Sequence, residues 1–204
     1  MIPDSVWLAY GARVVRLRKG DTLFDQGETA SRFYQVKSGR VKMVSGNEQG
    51  REFVQGLFTE GQSFGEPPFF NDVPYPAAAV AVEDSEVWSC GRPAFLRLLA
   101  EHPAIHLELT RVLSGRLVYK SMMLAEIAVE EAEHRLATLI GYLRSADPAG
   151  LSRPYRVGLT RQQLADMTGL RVETVVRSIK AMEQCGVLEI EDGKILWRGR
   201  ADET

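Results

Sequence analysis

Thirty residues near the C-terminus, LTRQQLADMTGLRVETVVRSIKAMEQCGVL (Leu159 to Leu188), leave few folds open. Thr160 followed three residues later by Gln163 is a capping box, in which each side chain satisfies a free backbone donor at a helix start. The helix so opened carries Leu164, Ala165 and Met167 and stops at Gly169, a residue suited to the left-handed backbone of a helix end. A second helix then places Val175, Ile179 and Met182 on one face. Two short helices about a glycine-containing turn, with alanine near their crossing, predict a helix-turn-helix.

On that reading the second helix turns Val172, Glu173, Val176, Arg177 and Lys180 outwards. Glu173 and Arg177 are four apart and share a face, so they can meet base edges side by side in a major groove. Glutamate accepts from cytosine N4, arginine donates two bonds to guanine O6 and N7, and Val172 or Val176 suits a thymine methyl. Taken alone, a solvated ion pair worth about 0.2–0.5 kcal/mol explains Glu173 and Arg177 equally well. The next residues tip the balance. Val187 to Ile190 and Lys194 to Trp197 flank Glu191-Asp192-Gly193 as a β-hairpin wing, and a wing behind a helix-turn-helix points to double-stranded DNA. Thr160, Arg161 and Gln162 at the first helix start, and Thr174 and Lys180 on the second helix, are the phosphate-contact candidates.

Upstream the periodicity is different. Arg13 to Leu17, Arg32 to Val36, Arg40 to Val44 and Glu52 to Val54 are short runs rich in β-branched and aromatic residues, punctuated by glycines from Gly20 to Gly65. Such spacing predicts an antiparallel barrel or sandwich. Ser38-Gly39 joins two of the runs closely enough to read as a hairpin turn. Residues 93–101 read as a helix with proline in its first turn. From Pro103 to Val129 two stripes follow at helical spacing, Leu109, Val112, Arg116, Tyr119 and Met123 beside Leu113, Leu117, Leu124 and Ile127. A helix of about 25 residues spans about 38 Å, longer than a small domain needs, and such a helix usually has a partner. Glu131 to Leu143 is a further amphipathic helix, and Ser145 to Pro154, with Asp147-Pro148 and Gly150, is a loop.

Composition narrows the function classes. Of the 204 residues 25% are charged, and the net charge of −2 neither advertises nor excludes a nucleic-acid partner, because a basic face disappears in a whole-chain sum. No apolar run reaches about 18 residues and no basic leader precedes one, so no membrane partner and a cytoplasmic location are expected. Cys90 and Cys185 stand far apart without metal-ligand spacing, so no metal and no cofactor are expected. The run Glu130, Glu131 and Glu133 reads as a solvated helix start, and no nucleophile–base pair is visible, so the chain does not read as an enzyme.

These pieces in this order resemble the Crp/Fnr family of bacterial transcription regulators. The residues that carry the likeness are Lys37-Ser38-Gly39-Arg40-Val41, Gly61-Gln62-Ser63-Phe64-Gly65-Glu66 and the thirty-residue segment above. The resemblance covers about residues 12–197. It implies an α+β chain: a jelly roll of the cyclic-nucleotide-binding kind over 1–100, a dimerisation helix over 101–129 and a winged helix-turn-helix over 130–204. It also implies a homodimer and contact with RNA polymerase. Glu173 and Arg177 fall on the family's base-reading pair, whereas Val172 stands where some members carry a third, arginine contact. Arg171 replaces the usual serine or threonine opening the recognition helix and is a phosphate candidate.

The sensory segment is GEPPFFNDVPYPAAAVAV, Gly65 to Val82, which begins like a loop built to cradle a phosphate. Family members that bind cyclic AMP hold the phosphate with an Arg-Ser pair, and Pro76 and Ala77 occupy those positions here. The nearest cations in sequence are Arg51 and Arg92. A buried phosphate without a partner costs several kcal/mol, so a cyclic nucleotide held in the usual way is not expected. Two cysteines are too few for the family's iron–sulfur cluster, and His102, His106 and His134 lie on predicted helices among polar neighbours rather than as haem ligands. Phe64, Gly65, Glu66, Phe69, Pro76 and Ala77 mark the effector position. They suit a pocket for a small apolar or neutral molecule, or a filled barrel with no ligand. A small-molecule or redox sensor acting mainly through protein partners is the competing reading, and the intact Glu173 and Arg177 argue against it.

Overall fold

The computed structural model describes residues 2–46, 52–129, 131–146 and 154–198. Arg51, Glu130 and the expected turn at Asp147 to Gly150 lie outside them. The chain divides into two compact units, Met1–Leu113 and Ser114–Thr204.

The first unit opens with α1 (Asp4–Ala9), β1 (Arg13–Leu17), β2 (Thr22–Phe24), β3 (Arg32–Ser38), β4 (Arg40–Gly46), β5 (Glu52–Thr59) and β6 (Ser63–Phe64). It continues through α2 (Glu66–Asn71), β7 (Ala78–Ala81), β8 (Ser85–Gly91) and α3 (Arg92–Glu101) into α4 (Pro103–Val129), and the division between units falls inside α4. The strands form two four-stranded antiparallel sheets, ordered β1-β8-β3-β6 and β2-β7-β4-β5. Residues of both sheets meet in one core that includes Phe24, Phe33, Val36, Val41, Met43, Phe64, Val87 and Trp88. This is the expected antiparallel sandwich, and Trp7 of α1 is buried in it against Phe33, Trp88 and Phe95.

The expected hairpin at Ser38-Gly39 is not formed. β3 pairs with β8 while β4 pairs with β7, so the chain changes sheets at Gly39. Ser38 belongs to β3, which leaves a single residue between the strands, too few for a two-residue turn. Gly39 has φ 82°, and a Cβ there would lie 2.4 Å from Ser85 Oγ and 2.5 Å from the Asp84 carbonyl oxygen. Ser85 holds the corner: its hydroxyl accepts from the Arg40 amide at 2.9 Å and donates to the Glu83 carbonyl at 2.7 Å. The loop expected after Gly65 also differs. It is the short helix α2, entered through left-handed Gly65, with Pro67 and Pro68 in the first turn where their missing N–H groups cost nothing.

α4 is 27 residues long and matches the expected span. Leu109 and Met123 are buried and Tyr119 half-buried, whereas Leu107, Val112, Leu117, Val118, Met122 and Leu124 are exposed.

The second unit contains α5 (Ala132–Ala146), β9 (Tyr155–Arg156), α6 (Arg161–Thr168), α7 (Val172–Gln184), β10 (Leu188–Glu191) and β11 (Lys194–Trp197). Its sheet runs β10-β11-β9. Leu136, Leu139 and Ile140 of α5 pack with Leu164, Val175, Ile179, Leu188, Ile195 and Trp197 in one core. Among the described residues no helix is long and apolar enough to cross a membrane.

Candidate nucleic-acid interface

α6 begins as its sequence dictates. Thr160 Oγ1 accepts from the Gln163 amide at 3.1 Å, and Gln163 Oε1 accepts from the Thr160 amide at 2.9 Å. The helix ends on Gly169 with φ 69°, the left-handed cap that lets the chain turn into α7. Ala165 is buried in the core of the second unit, and the buried Thr168 hydroxyl donates to the Leu164 carbonyl at 2.7 Å.

α7 turns Val175, Ser178, Ile179 and Met182 into the core, which leaves Glu173, Val176, Arg177 and Lys180 exposed. Among the described residues neither Glu173 nor Arg177 has an ion pair or hydrogen bond, so the solvated pair that their spacing allows is not made. Val172 corrects the sequence reading. It is half-buried and packs against the core, because at the first turn of α7 its direction falls between the two faces. Thr174 is half-buried as well. Arg171 is the exposed N-cap of α7 and makes no capping bond, so the first amides of that helix have no side-chain partner at the cap.

The three candidates at the start of α6 are differently placed. Thr160 is held in the capping box, Arg161 Nη1 donates to the Gly193 carbonyl at 2.7 Å, and Gln162 Nε2 donates to Asp166 Oδ1 at 2.7 Å. Sequence reasoning missed the Arg161 bond to the wing because Arg161 and Gly193 are 32 residues apart. It also missed β9, whose two residues pair with Trp197 and Leu196, and Glu183, whose Oε1 accepts from the Ile190 amide at 3.2 Å. The wing itself is as expected, with Asp192 (φ 47°) and Gly193 (φ 73°) forming its two-residue turn.

Of the residues expected to mark an effector position, Phe64, Gly65, Glu66, Phe69 and Ala77 are buried and Pro76 is exposed. Aromatic rings fill the interior beside Gly65. Phe24 stacks on Tyr75 and lies near Tyr34 and Phe64, which in turn touches Phe58. A Cβ on Gly65 would come within 3.1 Å of Tyr75 and 3.5 Å of Phe24. Burial pushes the Tyr75 phenol pKa well above its ordinary value. Arg92, one of the two cations nearest in sequence, is committed elsewhere: it donates to the Asp72 carboxylate and the Phe69 carbonyl and lies over the Phe69 ring at 5.1 Å. Cys90 is buried, and its burial pushes the thiol pKa up, against a weaker pull from Arg32 and Arg97. His102 ends α3 edge-on to Tyr10, and His106 is exposed. Among the described residues no group of His, Cys, Asp and Glu is arranged to hold a metal ion.

Two family profiles match the chain. A cyclic nucleotide-binding domain covers residues 14–102, and a Crp-like helix-turn-helix domain covers residues 134–200. The cyclic AMP receptor protein of Thermus thermophilus is 30% identical over 197 residues, spanning 96% of this chain and 88% of that protein. The fumarate and nitrate reduction regulatory protein of Escherichia coli is 28% identical over 177 residues, spanning 86% of this chain and 70% of that one. The structure of FixK2 from Bradyrhizobium japonicum shares the fold at a TM-score of 0.76 and 21% identity, covering 94% of each chain. A two-sheet sandwich, a long helix and a winged helix-turn-helix in this order, matched along nearly the whole length, place the chain in the Crp/Fnr family of DNA-binding transcriptional regulators.

Proposed function

We propose that two copies of this chain bind a twofold-symmetric DNA site, each laying α7 in the major groove, with the half-sites about one helical turn apart. One observation carries the reading. Glu173 and Arg177 stand together on the exposed face of a helix whose opposite face is locked into the core, and neither is spent on another side chain among the described residues. Arg171, Thr174 and Lys180 serve as phosphate contacts around that pair, and Val176 supplies the apolar one. Val172, half-buried, contributes at most its exposed edge. The exposed leucines, valines and methionine of α4 supply the surface for the second copy, and RNA polymerase is the protein partner.

Regulation in this proposal does not run through a cyclic nucleotide held by an arginine–serine pair. Pro76 and Ala77 replace that pair, Arg92 is bonded to Asp72 and Phe69, and stacked rings occupy the interior beside Gly65. An effector entering here is small and apolar or neutral, or the barrel acts without one.

Selection from a pool of random duplexes tests the reading. It should enrich an inverted repeat, and native mass spectrometry should find two chains on one selected duplex. Enrichment of no sequence, or one chain per duplex, would refute it.

A further inference from the structure

The N-terminal turn of a helix invites phosphate, yet Arg161, the first residue of α6, reaches into its own protein. Its guanidinium Nη1 donates to the Gly193 carbonyl in the wing turn at 2.7 Å. Asp192 and Gly193 both have positive φ and close a two-residue turn between paired Glu191 and Lys194, a geometry whose twist matches the strands it joins.

Two strands of four residues make a hairpin that is marginal by itself. The base of this one is secured. The Ile190 amide donates to Glu183 of α7 at 3.2 Å, the Val157 amide donates to the Ile195 carbonyl at 2.9 Å, and β9 pairs with Leu196 and Trp197. Beyond those ties lie Glu191, Asp192, Gly193 and Lys194, all exposed. Among the described residues, the Arg161 bond is the one side-chain hydrogen bond that reaches this tip. Lys194 is the cation on the tip, beside the carboxylates of Glu191 and Asp192, and it has no ion pair among the described residues. Where Lys194 points therefore depends on how the turn is held.

We propose that Arg161 is a positioning residue that fixes the wing tip against the start of α6, so that Lys194 meets the DNA backbone in place of Arg161 itself. The assignment rests on the DNA-binding reading above. It removes Arg161 from the phosphate contacts and gives the wing a defined orientation before DNA arrives.

The experiment has two arms. In the DNA-free full-length protein, Arg161→Met should speed amide exchange at residues 192–194 by about fivefold or more, since the tip loses its tether. In the second arm, a duplex selected by the wild-type protein is titrated with Arg161→Met, Lys194→Met and the double variant. Each single change should weaken binding by about tenfold, and the double should be within about twofold of either single, because both remove the same contact. Unchanged exchange at the tip, or losses that multiply in the double variant, would overturn the proposal. So would a Lys194→Met protein that binds like wild type while Arg161→Met does not. If no duplex is selected at all, it is the DNA-binding reading that has failed, and the exchange arm still decides whether Arg161 holds the tip.

Discussion

The rings of Phe24 and Tyr75 lie 3.7 Å apart between centroids with 15° between their planes, directly against the turn at Gly65. The pair takes up space in the part of the barrel where we propose an effector would enter, if there is one. Phe24 is buried and touches Tyr34 and Phe64 as well, so Phe24→Ala removes a ring that its neighbours cannot replace without moving. The expected loss is about 3–5 kcal/mol in urea unfolding of the full chain. Tyr75→Phe keeps the stack and forfeits the hydroxyl's bond to the Arg32 carbonyl at 3.2 Å, so it should cost about 1 kcal/mol. Equal costs for the two variants would show that the stack contributes little.

Gly39 makes a sharper demand. Its φ of 82° already disfavours a side chain, and the space beside it is taken by Ser85 and the Asp84 carbonyl. Gly39→Ala combines a left-handed non-glycine residue with a backbone clash, each costing about 1–3 kcal/mol. A total near 3 kcal/mol is expected, read as a shift in the urea midpoint at constant slope. Ser85→Ala tests the same corner from the other side: the Arg40 amide loses its acceptor, and about 1–3 kcal/mol goes with it. A neutral Gly39→Ala would mean that the sheet crossing relaxes easily.

The contrast between Gly39 and Thr160 shows which features a single sequence discloses. Thr160 and Gln163 satisfy each other three residues apart, so the capping box is local and visible in the string. Glu173 and Arg177 are visible for the same reason, since one helical turn is enough to put them on one face. A hairpin and a sheet crossing, by contrast, both read as two apolar runs around a glycine. What separates them is the partner of each strand, β8 or β7, between 34 (Val44 to Ala78) and 59 (Arg32 to Gly91) residues away in the chain. α2 was hidden because consecutive prolines look like a break until they are placed in a first turn. The Arg161 bond to Gly193 depends on the packing of the whole second unit, and no short-range pattern encodes it.

The absent phosphate clamp leads to a negative result that can be measured. A ligand that binds only the folded state with a Kd of about 10 µM would, at about 1 mM, add about 2.7 kcal/mol of stability. Cyclic AMP at that concentration should leave the melting temperature within about 1 °C of its value in buffer, given Pro76, Ala77 and the internal bonds of Arg92. A rise of several degrees would mean that another cation holds the phosphate and that the regulatory part of the proposal is wrong.

The two cysteines should react at very different rates. Cys185 is exposed at the C-cap of α7, whereas Cys90 is buried in the first unit with its thiol pKa raised by that burial. Because the thiolate is the nucleophile, a raised pKa leaves less of it at any pH below that value, and burial blocks the reagent as well. Iodoacetamide at about pH 8 should label Cys185 at least about tenfold faster than Cys90 in the native protein, with the difference vanishing in urea. Peptide mass spectrometry reads both sites at once. Rapid native labelling of Cys90 would revive a redox role for the first unit.

Arg177 carries the most specific expectation. Its side chain is exposed, unpaired among the described residues and one helical turn from Glu173, and on the proposed reading its bidentate partner is a guanine in the major groove. Arg177→Ala should cost about 1–3 kcal/mol on a selected duplex and relax the preference at one base pair in each half-site. Arg171→Ala, at the N-cap of the same helix, should instead weaken selected and random duplexes alike and flatten the salt dependence by about 0.9 per phosphate lost. The two variants thus separate reading from holding. If Arg177→Ala lowers affinity equally on both duplexes, Arg177 is a backbone contact, and base recognition must rest on Glu173 and Val176.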